Sequence, residues 1–271
     1  MKRFFLKSLV FFCLFIVVER ASAFTYTGSY EIDGIFYYVN ISAKTACVAY
    51  KPGGGDYYYA GVVTIPSTLA VAGETLTVTT IGEWAFQSSP ALTAVIIPNT
   101  VTTIEEGAFA GSGIVSVTIP RSVKSIEDNP FHSCESLISI IVDNGNTVYD
   151  SRDNCNAIIK KSNKTLIAGC KNTTIPNTVT AIGKSAFSEC SGLTSITLPS
   201  SLKSIDEDAF SGCSGLTSII LPNSLTSIGN YAFHGCSGIT TIIIPNSVTS
   251  IGEYNQEIKG ETNVEIIPVI A

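Results

Sequence analysis

The chain has 271 residues, of which 45% are apolar and only 14% charged. That is enough for one elongated or two compact domains with a sizeable core, and it leaves Ser, Thr and Asn to supply most of the surface polarity. The formal net charge is −6, an acidic balance that repels phosphate backbones and argues against a nucleic-acid partner.

The first 23 residues have a basic start (Lys2, Arg3, Lys7), an apolar run from Leu9 to Val18, and Ala21-Ser22-Ala23. This is the layout of a secretory leader cleaved after Ala23, with an apolar run too short for a comfortable membrane span. Removing it takes away four basic residues and one acidic one, leaving 12 against 21, a net of −9 and no membrane span in the mature chain. Residues 24–65 are rich in Tyr and β-branched side chains, and Asp33-Gly34 between apolar runs signals a tight hairpin. We read them as a small N-terminal β cap.

Residues 66–252 keep time. Phe86, Phe109, Phe131, Phe187, Phe210 and Phe233 are spaced by 23, 22, 56, 23 and 23 residues. Pro98, Pro120, Pro176, Pro199 and Pro222 each stand eleven residues ahead of one of them, and Pro245 stands eleven ahead of Gln256. A fixed short period predicts a solenoid, whose coils bury their apolar sides only by stacking. In the coil at Leu216, the residues Leu216, Ile219 and Leu221 face inward with the period of a strand, and Pro222 ends it. Leu225 and Ile228 return inward, Gly229 permits the next turn, and Ala232 and Phe233 fill the opposite wall from a short helical turn. The interval of 56 is resolved by Asp143, which takes a proline's place, so that residues 143–175 form a 33-residue coil with a hairpin turning near Ser162-Asn163. Residues 253–271 are a degenerate last coil, with Gln256, Lys259 and Glu265 in the Phe, Cys and Ile slots.

The repeated stretches "LTSIILPNSLTSIGNYAFHGC" and the insertion "VYDSRDNCNAIIKKSNKTLIAGCKNTTIP" resemble the BspA-like leucine-rich repeat proteins, the short-period type also seen in treponemal surface proteins. The resemblance covers roughly residues 60 to 252. It implies a β-rich solenoid of about 23-residue coils in a secreted or cell-surface protein, often one used in adhesion to host proteins or to other cells.

Of the seven cysteines after residue 23, Cys134, Cys190, Cys213 and Cys236 each lie three residues after a spaced phenylalanine. They are either a disulfide or metal set or a column of small buried side chains, and the absence of C-x-x-C pairs favours the column. Cys155 and Cys170 become cross-strand neighbours if the hairpin turns at Ser162-Asn163, which makes a disulfide geometrically open to them. Cys170 also falls in a leucine slot, so a buried thiol competes with the bond.

No catalytic residue, metal site or cofactor motif emerges. His132 and His234 follow spaced phenylalanines and point outward. Glu105-Glu106 and Asp206-Glu207-Asp208 fall on outer bends, without the shared cleft that paired carboxylates require. Function therefore rests on the outward columns of the strands. One column reads Ile96, Thr118, Ile141, Thr197, Ile220 and Ile243; its neighbour includes Ser116, Ser139, Ser195 and Ser218. Stacked strands turn these into a flat or concave sheet with almost no charge, and a row of exposed Ile marks a partner surface. The expected partner is a host or neighbouring-cell protein, or a glycan. The alternative is a carbohydrate-associated enzyme or enzyme inhibitor acting through the cap, where Tyr57-Tyr58-Tyr59 could stack on sugars or pack inward.

Overall fold

The computed structural model describes residues 25–52 and 59–252, and the backbone of residues 265–268. The leader at 1–23, Tyr57, Tyr58, Gln256 and Lys259 lie outside the described residues. Among the described residues the regular structure is almost all strand, with one 3-10 turn at Arg152–Asn154.

The first three strands, β1 (Gly28–Ile32), β2 (Ile35–Asn40) and β3 (Thr45–Val48), form an antiparallel meander. Asp33 and Gly34 make its first turn with φ of 50° and 80°, the left-handed pair that a two-residue hairpin needs. Alternation in β2 buries Ile35, Tyr37 and Val39. Next come β4 (Gly61–Thr64) and the hairpin of β5 (Thr68–Val71) with β6 (Glu74–Ile81). Because β3 pairs in parallel with β6, the meander is hydrogen-bonded directly onto the array.

From here the first coils give one strand to each of two parallel sheets. The chain runs through β7 (Leu92–Ile96), β8 (Thr103–Ile104), β9 (Ser116–Ile119), β10 (Ser125–Ile126) and β11 (Ser139–Val142). One sheet has the order β11-β9-β7-β4; the other continues the meander as β1-β2-β3-β6-β8-β10. The second sheet was not foreseen, because a two-residue strand such as Ser125–Ile126 is too short to show alternation. The prolines join the two. Pro98, Pro120, Pro176, Pro199, Pro222 and Pro245 each end an extended segment, and each accepts a hydrogen bond at its carbonyl from the N–H three residues on, at 3.0–3.2 Å. The same tight turn thus recurs in every coil.

The third wall carries the phenylalanines, and it is not helical. Asp208 (φ 55°), Gly212 (φ 71°), Tyr231 (φ 54°) and Gly235 (φ 68°) interrupt it with left-handed residues, so it is a string of turns. Its N–H groups point to the following coil: Phe86 donates to Ala108, Phe109 to Pro130, Phe187 to Ala209 and Phe210 to Ala232, all at 2.8 Å. The rings stack face to face, with centroids 5.4 and 5.3 Å apart along Phe86, Phe109 and Phe131. Along Phe187, Phe210 and Phe233 they are 5.1 and 5.5 Å apart.

Between these two stacks sits the insertion: β12 (Tyr149–Asp150), β13 (Ala157–Lys160) and β14 (Thr165–Gly169). The sheet then continues through β15 (Ala181–Ile182), β16 (Ser204–Ile205) and β17 (Ser227–Ile228) and, past β18 (Thr241–Ile244), ends at β19 (Ser250–Ile251). The β13–β14 hairpin is a partition between two cores. Ile158, Ala168 and Cys170 face the core of the first stack, while Cys155, Ala157, Ile159 and Leu166 face that of the second. Gly169 occupies the phenylalanine slot here: its N–H donates to Ala186, as the phenylalanines do to theirs, and the Phe187 ring lies where its side chain would be. The last strand, β20 (Glu265–Pro268), pairs in parallel with β18. Its offset places Ile266, and not Glu265, across from Ile242.

Candidate functional site

The candidate face is the outer side of β4, β7, β9 and β11. Each strand alternates, so Val95, Val117, Ile119, Ile140 and Val142 are buried, whereas Ile96 is 55% and Ile141 51% exposed. The parallel register lines up Thr64 with Ile96, and Thr118 with Ile141. It lines up Val62 with Ala94, and Ala94 with Ser116 and Ser139 in turn. Thr118 and Ser116 are exposed and Ser139 is half-buried. The structure therefore brings Ile96, Thr118, Ile141, Ser116 and Ser139 onto one sheet.

It does not extend that sheet over the remaining candidates. The four-stranded sheet ends at β11, where the insertion begins. Ser195, Thr197, Ser218 and Ile220 are exposed, Ile220 at 85%, but they lie in extended segments outside the ladders. Ile243 is exposed on β18, which among the described residues pairs with β20 alone. One continuous flat surface is thus corrected to two blocks, because the partition hairpin replaces one coil's outward strand.

Residues that sequence reasoning missed enlarge the first block. Val62 (61% exposed) starts it, and Val115 (40%) and Ile138 (39%) flank it. Val62 escaped notice because the cap breaks the period. The signal was there, since Val63-Thr64-Ile65-Pro66 repeats Val117-Thr118-Ile119-Pro120. With Ile96 and Ile141, Val62 gives the outer face of this uncharged sheet three large exposed apolar side chains, and Val115 and Ile138 lie at the start of two of its strands.

The polar candidates resolve differently. Glu105 is buried, not on an outer bend; its Oε2 accepts the Glu83 N–H at 3.0 Å, and burial pushes its carboxyl above the usual range. His132 is half-buried against the edge of Trp84, with centroids 5.3 Å apart, and burial lowers its imidazole below the usual value. His234 is exposed. Among the described residues no group of three His, Cys, Asp or Glu side chains gathers to hold a metal ion, and no helix is long and apolar enough to cross a membrane. In the cap, Tyr59 turns inward, packing edge-on against Phe86 at 4.7 Å and accepting the Phe36 N–H at its hydroxyl.

The cysteine column is built into the core. Cys134, Cys213 and Cys236 each donate S–H to a carbonyl one coil back, those of Phe109, Phe187 and Phe210, at 3.0, 3.1 and 3.0 Å. Burial pushes the Cys134 and Cys155 thiols up to about 11, and those of Cys190 and Cys236 up to about 12. The candidate pair Cys155 and Cys170 consists of two free thiols. A bulge between Ile158 and Ile159 shifts the hairpin register by one, so the two cysteines face different cores. Alkylation in denaturant without reductant is therefore expected to label all seven thiols from Cys47 to Cys236, as read by intact mass. A product two labels short would show a bond. In the native protein at mild pH, labelling is expected to be slow, because only the thiolate reacts.

Comparison with known proteins follows the same repeat. The sequence profile of the BspA type leucine rich repeat region matches residues 73–163 and 162–258, in six copies. No curated protein matches the chain. Among solved structures, the chain is similar to the pneumococcal vaccine antigen PcpA, at 19% identity over 85% of this chain and 79% of that one, with a TM-score of 0.47. It is also similar to a leucine rich cell surface protein from Faecalibacterium prausnitzii A2-165, at 19% identity over 90% and 100%, with a TM-score of 0.45. A leucine-rich repeat protein from Bacteroides ovatus ATCC 8483 is similar at 24% identity over 82% and 61%, with a TM-score of 0.44.

Proposed function

Since the chain belongs to the BspA-type leucine-rich repeat family, we propose that it is a secreted or cell-surface binding protein, not an enzyme, that grips a protein of a host or neighbouring cell. The grip is the outer face of β4, β7, β9 and β11. One observation carries this reading: Val62, Ile96 and Ile141 are exposed on strands of one hydrogen-bonded sheet, with exposed Val115 and Ile138 immediately before two of its strands. Such a patch suits the desolvated centre of a protein interface. A glycan suits it less, because the patch offers no aromatic ring for a sugar to lie on. The leader-like start, with its basic residues, apolar run and Ala21-Ser22-Ala23, supports the extracellular part of this reading.

The test is a pull-down of extracellular and neighbouring-cell proteins with the mature chain, followed by affinity measurement on the captured partner. Replacing Val62, Ile96 and Ile141 together with lysine is expected to weaken binding about 100-fold or more, at unchanged circular dichroism. Replacing Ile220 and Ile243 with lysine is expected to do less, since they lie outside this sheet. Undiminished binding by the first variant would move the site elsewhere.

A further inference from the structure

A second surface has the opposite character. From Asn154 to Ser188 the chain carries five lysines and no Asp or Glu, although the whole protein is acidic. The fold gathers three of these lysines with Lys124 from a preceding coil and Lys203 from the following one. Lys160, Lys161 and Lys164 form the tip of the β13–β14 hairpin, where Lys160 pairs with Thr165. The parallel register of Thr165 with Ala181 and Ser204 puts Lys164, Thr180 and Lys203 in one row, since each is the preceding residue. The backbone confirms the row, with Thr180 N–H on Lys164 O and Lys203 N–H on Thr180 O. On the other side Lys161 reaches the Asn146 carbonyl at 2.6 Å, and Lys124 reaches the Thr147 hydroxyl at 2.8 Å. The row thus runs Lys124, Lys160-Lys161, Lys164, Lys203 along the stacking direction.

Every one of these lysines is exposed. Among the described residues none of them makes an ion pair, in contrast to Lys44, Lys51 and Lys184. The side chains between them are hydroxyls and amides: Ser125, Thr147, Ser162, Asn163, Thr165 and Thr180. None of the exposed large apolar residues lies among them.

We propose that this row binds a linear anionic polysaccharide, one bearing carboxylate or sulfate groups. Lys164 and Lys203 are two strands apart, about 10 Å at about 4.8 Å per strand, the scale of one disaccharide. Regularly spaced cations would meet regularly spaced anions, and the hydroxyls between them would meet sugar hydroxyls. A protein partner would need an apolar or aromatic anchor that the row lacks. A single-stranded nucleic acid would need stacking rings, and the acidic remainder of the molecule repels a long phosphate chain. The row is separate from the apolar face of β4, β7, β9 and β11, so either surface can fail its test alone.

The experiment is retention of the full mature chain on immobilised heparin and on immobilised polygalacturonate, at low salt and neutral pH. Retention by at least one polymer, weakened by salt, is expected. The variant K160Q/K164Q/K203Q is expected to bind about tenfold more weakly or worse, K160R/K164R/K203R to bind as the parent does, and the equal charge change K44Q/K51Q/K184Q to leave binding intact. No retention of the parent would overturn the proposal, as would equal loss in the K44Q/K51Q/K184Q control. Competition by polyglutamate or duplex DNA as effective as that by the free polysaccharide would assign the row to another class of partner and overturn it too.

Discussion

Replacing Phe210 with alanine is expected to destabilise the protein by about 3–5 kcal/mol in urea unfolding. The ring is fully buried and stacked on both sides, against Phe187 at 5.1 Å and Phe233 at 5.5 Å. Truncation therefore removes its transfer free energy, opens a cavity and breaks two aromatic contacts worth about 0.5–1.5 kcal/mol each. The cavity cannot close easily. The backbone of Phe210 is held to the next coil through Ala232, and Cys236 leans on its carbonyl. In a stack, a coil's stability is shared with its neighbours, so the loss should spread to the coils carrying Phe187 and Phe233. Phe109→Ala, in the first stack, is expected to lose a similar amount. A loss below about 1 kcal/mol would mean that the rings do not form the wall described.

The second large effect concerns the partition. Gly169→Ala is expected to cost about 1–3 kcal/mol, an overpacking penalty for a single methyl group. A Cβ at this position would overlap the Phe187 ring, which is itself fully buried and backed by Phe210. Neither side has room to retreat, because β14 is paired with Ala157 on one side and Gly169 donates to Ala186 on the other. Glycine is used here for the absence of a side chain and not for backbone freedom. Phe86, Phe109, Phe131, Phe187, Phe210 and Phe233 fill the slot in the neighbouring coils, so the coil that must admit a hairpin empties it. An alanine variant with unchanged stability would show that the two stacks do not meet across Gly169.

Much of this architecture is legible in the residues. The spacing of Phe86, Phe109, Phe187, Phe210 and Phe233, and of the prolines ahead of them, reports the coil length because each side chain sits in a slot that recurs. Cys134, Cys213 and Cys236 read as buried side chains for the same reason, whereas Cys190 is only half-buried. What escaped the sequence is what depends on one local choice. The second sheet is built from pairs such as Ser204–Ile205 and Ser227–Ile228, too short to carry a pattern. The bulge after Ile158 shifts the hairpin by one residue and parts Cys155 from Cys170, and no spacing shows it. Glu105 looked like a bend residue, yet it is drawn in to accept the Glu83 N–H. Of the outward columns, Ile96, Thr118 and Ile141 were readable as a face. Val62 was hidden by the irregular cap, and the break before Thr197 by the assumption that the inserted coil keeps its outward strand.

Both proposed surfaces depend on coils lying in register, so the contact between phenylalanine rings is the measurement that bears on them most directly. A protein labelled only at phenylalanine should show ring-to-ring nuclear Overhauser effects between Phe86 and Phe109, Phe109 and Phe131, Phe187 and Phe210, and Phe210 and Phe233. The chain of contacts should break between Phe131 and Phe187, where Gly169 intervenes. Missing contacts within either trio, or a direct contact between Phe131 and Phe187, would contradict the stack.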